Sequence, residues 1–301
     1  MVLRANGKEF GVYALLVAPA LLIYIAVIAY PVIFSGILGF TSYNFRPGEE
    51  FTFIGFQQYA RMLSDPRFWI GFRNNLIVVA VSVFGQIPLG FVLAYLLYRR
   101  YVRYQHFFQA MVFLPQAISL IVVGILWRNM FGVQGALTEI VSRILGDPSF
   151  RFTWFRYPET AMFPVAIALL WIYVGFYLIV FLANLQTIEK SVIESAQIDG
   201  ANEPQIFLRI VTPAMAGVIL VNTILAISGS FKGFDLIFAL APNEGMGLAN
   251  YNLVLPTYMY HYAFSSQHYA FGSAISNVIV LLSVAMIIVA RFVHRRLSVN
   301  L

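Results

Sequence analysis

Apolar residues in this chain gather in long blocks instead of recurring at every second, third or fourth position. The blocks are Val12–Phe40, Leu76–Tyr98, Phe107–Leu126, Met162–Ala183, Ala214–Ala239 and Phe271–Phe292. Each runs for at least about 20 residues with few or no charges, the length at which an α-helix crosses the hydrocarbon of a bilayer. The pattern predicts an all-α, polytopic membrane protein of about six transmembrane helices. No fixed-period repeat or low-complexity linker interrupts it, so residues 1–301 are expected to form a single transmembrane domain. The first block is too long for the apolar region of a signal peptide and no small-x-small cleavage site follows it, which predicts an uncleaved span.

Composition agrees. Of the 301 residues, 60% are hydrophobic and 11% charged, against about half and about a quarter in soluble domains. The net charge of +6 is not gathered into a basic face of the kind that binds nucleic acid. The basic residues flank the blocks instead: Arg4 and Lys8 before the first, Arg99, Arg100 and Arg103 between the second and third, Arg291, Arg295 and Arg296 at the end of the sixth. Alternation puts these three segments on one side, and the positive-inside rule makes that side the cytoplasm, with both termini. Segments 41–75, 132–160 and 240–270 then face outward. Short surface helices are expected around Gly55–Tyr59 and Gly135–Val141. The third segment begins with the turn-rich run Pro242–Gly247, and its Tyr258, Tyr260, Tyr262 and Tyr269 suit an interfacial aromatic belt. Cysteine is absent, and the four histidines, His106, His261, His268 and His294, are dispersed. No metal site is expected.

The polar segment 187–213 has its own internal structure. Ser191-Val192-Ile193-Glu194 has the form of a capping box, or else lies inside a helix begun at Thr187. Asp199-Gly200 predicts a turn with Gly200 in the left-handed position after a helix C-terminus. Asn202 reads as the N-cap of a second helix with Pro204 in its first turn. Ile206, Phe207, Ile210 and Val211 share one face of that helix, and Pro213 is expected to end it. The product is a helix–turn–helix outside the bilayer with an apolar ridge awaiting a partner.

Glu194-Ser195-Ala196, Asp199-Gly200-Ala201, Ile210 and Pro213 resemble the "EAA" loop of ATP-binding-cassette importer permeases, whose pattern is E-A-A-x(3)-G-x(9)-I-x-L-P. The spacing holds throughout, with Ser195 standing for Ala and Thr212 for Leu. Phe113-Leu114-Pro115, Trp127, Trp171 and the run Gly229–Asp235 are similar to carbohydrate-importer permeases of the maltose type, and within that group to the first of two paired permeases. The Gly-Gly-Pro turn usual in that subunit is replaced by Pro242–Gly247. The resemblance implies that the loop docks into a groove of an ATPase subunit through Glu194, Ser195, Ala196, Asp199, Gly200, Phe207, Ile210 and Pro213. Phe207 and Ile210 would fill the groove and Glu194 would accept from a basic side chain. Without the resemblance, Glu194 reads equally as a capping carboxylate. The implied partners are a second permease forming a heterodimer, two ATPase subunits that bind ATP and Mg, an extracytoplasmic solute-binding protein, membrane lipid and a carbohydrate, with no nucleic acid. The implied location is the cytoplasmic membrane of a bacterium or archaeon.

No G-x-x-x-x-G-K-[ST] occurs, and the only Gly-Lys, Gly7-Lys8, is followed by Glu9. The chain is expected to bind no cofactor and to be no enzyme, ATP hydrolysis falling to another chain. No Asp, Glu or His lies mid-span, which argues against an ion-coupled transporter, and no paired catalytic groups point to an intramembrane enzyme. Lys232 and Asp235 are expected on one helix face, close enough to pair. Neutral polyhydroxylated solutes are held by amides, hydroxyls and aromatic faces. The third span offers Gln116 and Ser119 one helical turn apart, the fourth Tyr173, Phe176 and Tyr177, the fifth Ser228, Ser230 and Gly233, and the sixth Ser273, Ser276 and Asn277. The same residue types also serve helix packing. The maltose-type resemblance implies sugar contacts at Gln116, Leu120, Tyr173, Phe176, Gly229, Ser230 and Gly233. The expected function is carbohydrate import, an oligosaccharide above all, by alternating access. The alternative, a secondary transporter or channel, needs no docking loop.

Overall fold

A computed structural model describes residues 7–299 except 148, 150 and 153. Arg4 lies outside the described residues, and Lys8, His294 and Arg295 are described in their backbone alone. Among the described residues the regular structure is helical, apart from one isolated antiparallel bridge between Thr41 and Phe53. In order come α1 (Gly7–Tyr24), α2 (Tyr30–Leu38), α3 (Gln57–Ser64), α4 (Pro66–Ala80), α5 (Ile87–Tyr98), α6 (Gln105–Phe113), α7 (Leu120–Met130) and α8 (Ala136–Leu145). They are followed by α9 (Met162–Leu185), α10 (Lys190–Ile198), α11 (Glu203–Ile206), α12 (Thr212–Ala214), α13 (Ala216–Lys232), α14 (Asp235–Leu240), α15 (Leu255–Tyr260) and α16 (Tyr269–Val299). Four continuous stretches are long and apolar enough to cross a membrane: Leu15–Leu38, Pro66–Tyr98, Met162–Leu185 and Tyr269–Val293. Two further candidates are bent pairs, Gln105–Ala117 with Leu120–Met130 at 96° and Glu203–Ala214 with Ala216–Lys232 at 71°.

Two helical stretches run on through a proline, and a third ends one residue past one. A π-turn ends just before each: Ile25–Ala29 before Pro31, Val81–Gln86 before Pro88, and Phe207–Val211 before Pro213. The residue ahead of each proline donates to the carbonyl five positions back, Tyr30 to Ile25, Ile87 to Ser82 and Thr212 to Phe207. Proline lacks an N–H and its ring crowds the carbonyl four back, so a widened turn makes room and keeps the helix going. The expected helix end at Pro213 holds to within one residue, since α12 stops at Ala214 and the chain bends by 71° at Met215 into α13.

Other expectations change too. The second span begins at Pro66, ten residues before the apolar block, because Asp65 caps it by accepting from Arg67 N with proline at the first position. The third span is broken: Pro115 sits in a tight turn, Leu114–Ala117, and Ile118 and Ser119 are extended before α7 starts. Gln116 and Ser119 are therefore not one turn apart on a common helix. The fifth breaks at Gly233, whose backbone is extended, so Lys232 ends α13 and Asp235 starts α14 instead of sharing a face with it.

The chain forms two compact units. One joins α1–α3 with Met259–Asn277. In it Phe40 packs among Phe53, Phe56 and Tyr59, Asn277 Nδ2 donates to Gly36 O at 3.0 Å, and the Arg61 guanidinium lies 4.6 Å over the Phe271 ring. Tyr262 is buried there, not exposed in a belt. The other unit holds Asp65–Tyr258 and the remainder of α16. Lipid tails give helices no hydrophobic reason to associate, so close approach through small residues matters more. At Gly90 a Cβ would sit 2.5 Å from Tyr177 Cβ, which is how tightly α5 lies on α9. The loop after α14 is held by buried amides: Asn74 Nδ2 donates to Tyr251 O and Leu253 O at 2.8 Å, and Asn75 bridges Ser230 O and Leu255 N at 3.0 and 2.7 Å. Tyr258, also expected at an interface, is buried and donates to Asp65 Oδ2 at 2.8 Å.

Candidate functional site

Helices α4, α9, α13 and α14, the turn before α7 and the π-turn Val81–Gln86 enclose a cavity of about 400 Å³ in the second unit. Gln116, Leu120, Tyr173, Phe176, Tyr177, Gly229, Ser230 and Gly233 all line it. Ser119 does not, because the break turns it away as the residue before α7. Ser273 and Asn277 belong to packing in the other unit, where Ser35 Oγ donates to Ser273 Oγ at 3.3 Å.

The helix breaks shape the wall. Where the third span turns at Pro115, the Gln116 side chain reaches the cavity, and its Oε1 is buried with no hydrogen-bond partner among the described residues. Where the fifth opens at Gly233, backbone and the Lys232 and Asp235 side chains face the same space. Ser230 is less available, since its Oγ donates to Ala226 O at 2.8 Å and lies 3.3 Å from Ser82 Oγ. Apart from Ser82 and Gln86 the rest of the wall is apolar and aromatic, with Phe176 and Tyr177 edge to face at 5.3 Å. It can offer stacking faces, an unpaired amide acceptor, and one charge of each sign.

Sequence reasoning missed Ser82 and Gln86, which reach the cavity from the second span. The signal was present, since a glutamine inside an apolar block ahead of a proline is unusual. Gln86 Nε2 donates to Leu169 O at 3.1 Å, tying the π-turn to α9.

The 187–213 segment forms the expected helix–turn–helix with a different face outward. Helix α10 begins after Glu189, which makes no side-chain cap, so Ser191 and Glu194 lie within the helix and form no capping box. Ser195 Oγ instead donates to Ser191 O at 2.8 Å. After the C-cap Asp199, Gly200 takes φ +82°, its N–H donates to Gln197 O, and Ala201 N–H donates to Ala196 O, which completes a Schellman turn. Asn202 caps the next helix, with Gln205 returning the bond to its backbone.

The apolar ridge expected to be exposed is half-buried at Phe207 and Ile210 and fully buried at Ile206 and Val211. The Phe207 ring packs at a tilt 4.9 Å from Phe91 and 4.8 Å from Tyr95, and Ile210 packs on the same cluster, whose fully buried members include Ile206 and Val211. The exposed apolar residues of the segment are Val192 at 47%, Ile198 at 86% and Leu208 at 62%. Helical spacing identified residues that share a face, but not which face α5 and α9 would cover. Glu194 is exposed and lines a second cavity, of about 490 Å³, together with Arg99, Arg100, His106 and Lys190. Glu203 is held by Arg99 and Tyr95, and the Arg99 guanidinium keeps its carboxyl below the usual carboxylate range, with the Tyr95 hydroxyl adding to the effect.

Comparison with known proteins places this geometry in a family. Residues 86–299, which carry the 187–213 segment and all of the cavity lining but Val78 and Ser82, match the family described as binding-protein-dependent transport system inner membrane component. A lactose transport system permease protein, LacF of Rhizobium radiobacter, is 32% identical over 271 residues, covering 89% of this chain and 89% of the relative. An arabinooligosaccharides transport system permease protein, AraP of Bacillus subtilis, is 31% identical over 277 residues, covering 91% and 86%. A chain of a bacterial ABC transporter involved in the import of the acidic polysaccharide alginate has the same fold, with a TM-score of 0.79, 23% identity and 96% of each chain covered. The chain is a multi-pass membrane protein and belongs to the family of inner-membrane components of binding-protein-dependent transport systems.

Proposed function

We propose that this chain is a permease subunit of an ATP-binding-cassette importer and conducts a carbohydrate, an oligosaccharide above all, through the 400 Å³ cavity. The observation that carries the reading is the cavity wall: aromatic faces beside the buried, unpaired Gln116 Oε1 suit a ring with hydroxyl donors. Relatives named for lactose and arabinooligosaccharides support the substrate class. The functional assembly pairs this chain with a second permease, two ATPase subunits carrying ATP and Mg, and an extracytoplasmic solute-binding protein. Both termini and the 187–213 segment face the cytoplasm, as the Arg99, Arg100 and Arg103 cluster favours. The segment is the docking element. Ile198 and Leu208 supply its apolar contact and Glu194 its acceptor, while Phe207 and Ile210 anchor it to the bundle.

Uptake by the complete importer in proteoliposomes tests this reading. Gln116→Ala and Tyr173→Ala should each lower solute uptake about tenfold or more, the loss of a hydrogen bond or a stacking face. ATPase association should stay unchanged. Ser230→Ala should cost little, because its hydroxyl is already bonded within α13. Normal uptake in both of the first two variants removes the cavity as the solute path.

A further inference from the structure

The last turn of α5 meets the start of α11 in a polar cluster that the solute cavity does not use. Tyr95 Oη donates to Glu203 Oε2 at 2.7 Å, and Arg99 Nε donates to the same oxygen at 3.2 Å. Arg99 Nη2 donates to the other carboxylate oxygen, so guanidinium and carboxylate meet in two parallel bonds. This is the directional form of ion pair, which fixes orientation as well as contact. Glu203 is itself fixed, being the first residue of a helix whose start is locked by the Asn202–Gln205 capping box. One residue upstream of that cap the Schellman turn closes α10. The whole 187–213 segment therefore has a rigid polar attachment to one helix end.

We propose that Glu203, Arg99 and Tyr95 are positioning residues of the transport cycle, bolting the 187–213 segment to the second span so that its displacement reaches the cavity wall. The proposal rests on the reading above that this segment docks an ATPase. Behind Arg99, α5 runs back into the π-turn Val81–Gln86, where Ser82 and Gln86 line the cavity. Arg99 and Gln86 are thirteen residues apart, about 20 Å of continuous helix. The alternative route is the main chain into α13, which bends by 71° at Met215 and transmits a push poorly. The apolar contacts of Phe207 hold the segment close but are not directional, and the ion pair supplies the missing direction.

The test uses the assembled importer, with its ATPase and binding protein, in proteoliposomes. The variants are Arg99→Gln, Glu203→Gln, the exchanged pair Arg99→Glu with Glu203→Arg, and Tyr95→Phe, which keeps the ring on Phe207. Expected is normal ATPase binding and hydrolysis in the two single-charge variants, with solute moved per ATP down about five- to tenfold, the scale of a modest coupling free energy. Tyr95→Phe should fall between, and the exchanged pair should return toward the wild-type ratio. An unchanged ratio in assembled single variants overturns the proposal, as does an exchanged pair no better than the singles. Lost ATPase binding with a normal ratio in the remaining complexes also overturns it, because the cluster is then a structural prop. A wild-type chain that binds no ATPase would instead sink the parent reading, before any variant is made.

Discussion

Gly200 sits at φ +82° with no atom within 4 Å of where a Cβ would project, so its cost of replacement is conformational and not steric. Left-handed backbone costs an L-residue about 1–2 kcal/mol, more for a β-branched one. Gly200→Asn, which tolerates that region, should leave thermal stability and ATPase association near wild type, while Gly200→Val should lower both. Melting curves and pull-downs of the two variants side by side check this; equal behaviour would mean the turn has another reason for its glycine. Glu203 adds a pH prediction. Its folded-state carboxyl lies below the ordinary 4.5 because Arg99 pairs with it, so its contribution is present above that ordinary value and is lost only as pH falls through the lowered one. Protease protection of the 187–213 segment should therefore stay flat from about pH 8 to about pH 6 and weaken only below about pH 4. At this scale the turn residues were readable from the sequence, since Gly200 and Asn202 have local jobs. Glu203 was not, because its partners lie more than a hundred positions away.

At the scale of elements, hydropathy located the spans and was blind to their breaks. A window average treats Pro115 and Gly233 as single polar-neutral positions, yet each ends a helix and turns a side chain or backbone into the cavity. Pro31 and Pro88 carry the same letter and break nothing, because a π-turn ahead of each absorbs the misfit. Local sequence does not tell the two kinds apart; neighbouring helices do. The proposed docking face shows the same limit. Spacing grouped Phe207 with Ile210, and packing turned that ridge onto Phe91 and Tyr95, leaving Ile198 and Leu208 outward. The prediction is a contrast: Ile198→Asp and Leu208→Asp should weaken ATPase binding while leaving the melting temperature within a few degrees, since exposed substitutions change stability by about 0.5 kcal/mol or less. Phe207→Ala should lower the melting temperature, at about 3–5 kcal/mol for a packed phenylalanine, and weaken binding only as a consequence. Binding lost in Phe207→Ala at unchanged melting temperature would return Phe207 to the docking surface.

For the whole molecule, the proposed division of labour can be set against the loops that carry glycine. A nucleotide site needs backbone N–H groups cupped at a helix start with a lysine close behind. Glycines cluster here at Gly245 and Gly247, but the loop that carries them leads to buried amides, with Asn252 Oδ1 only 2.2 Å from where a Gly247 Cβ would lie. Several N–H groups of that loop go to its own carbonyls, Met246 donating to Asn243 O, Gly247 to Pro242 O and Asn252 to Met246 O. On the proposed reading, energy arrives from another chain and enters through the exposed 187–213 segment. Purified alone and freed of contaminating ATPases, this chain should hydrolyse no ATP above the detergent blank. Adding the ATPase subunits, the second permease and solute-loaded binding protein should restore hydrolysis, and Ile198→Asp with Leu208→Asp should remove the part that depends on binding protein. Hydrolysis that follows this chain through gel filtration in the absence of partners would place the ATP site here, and the docking role of the segment would lose its reason.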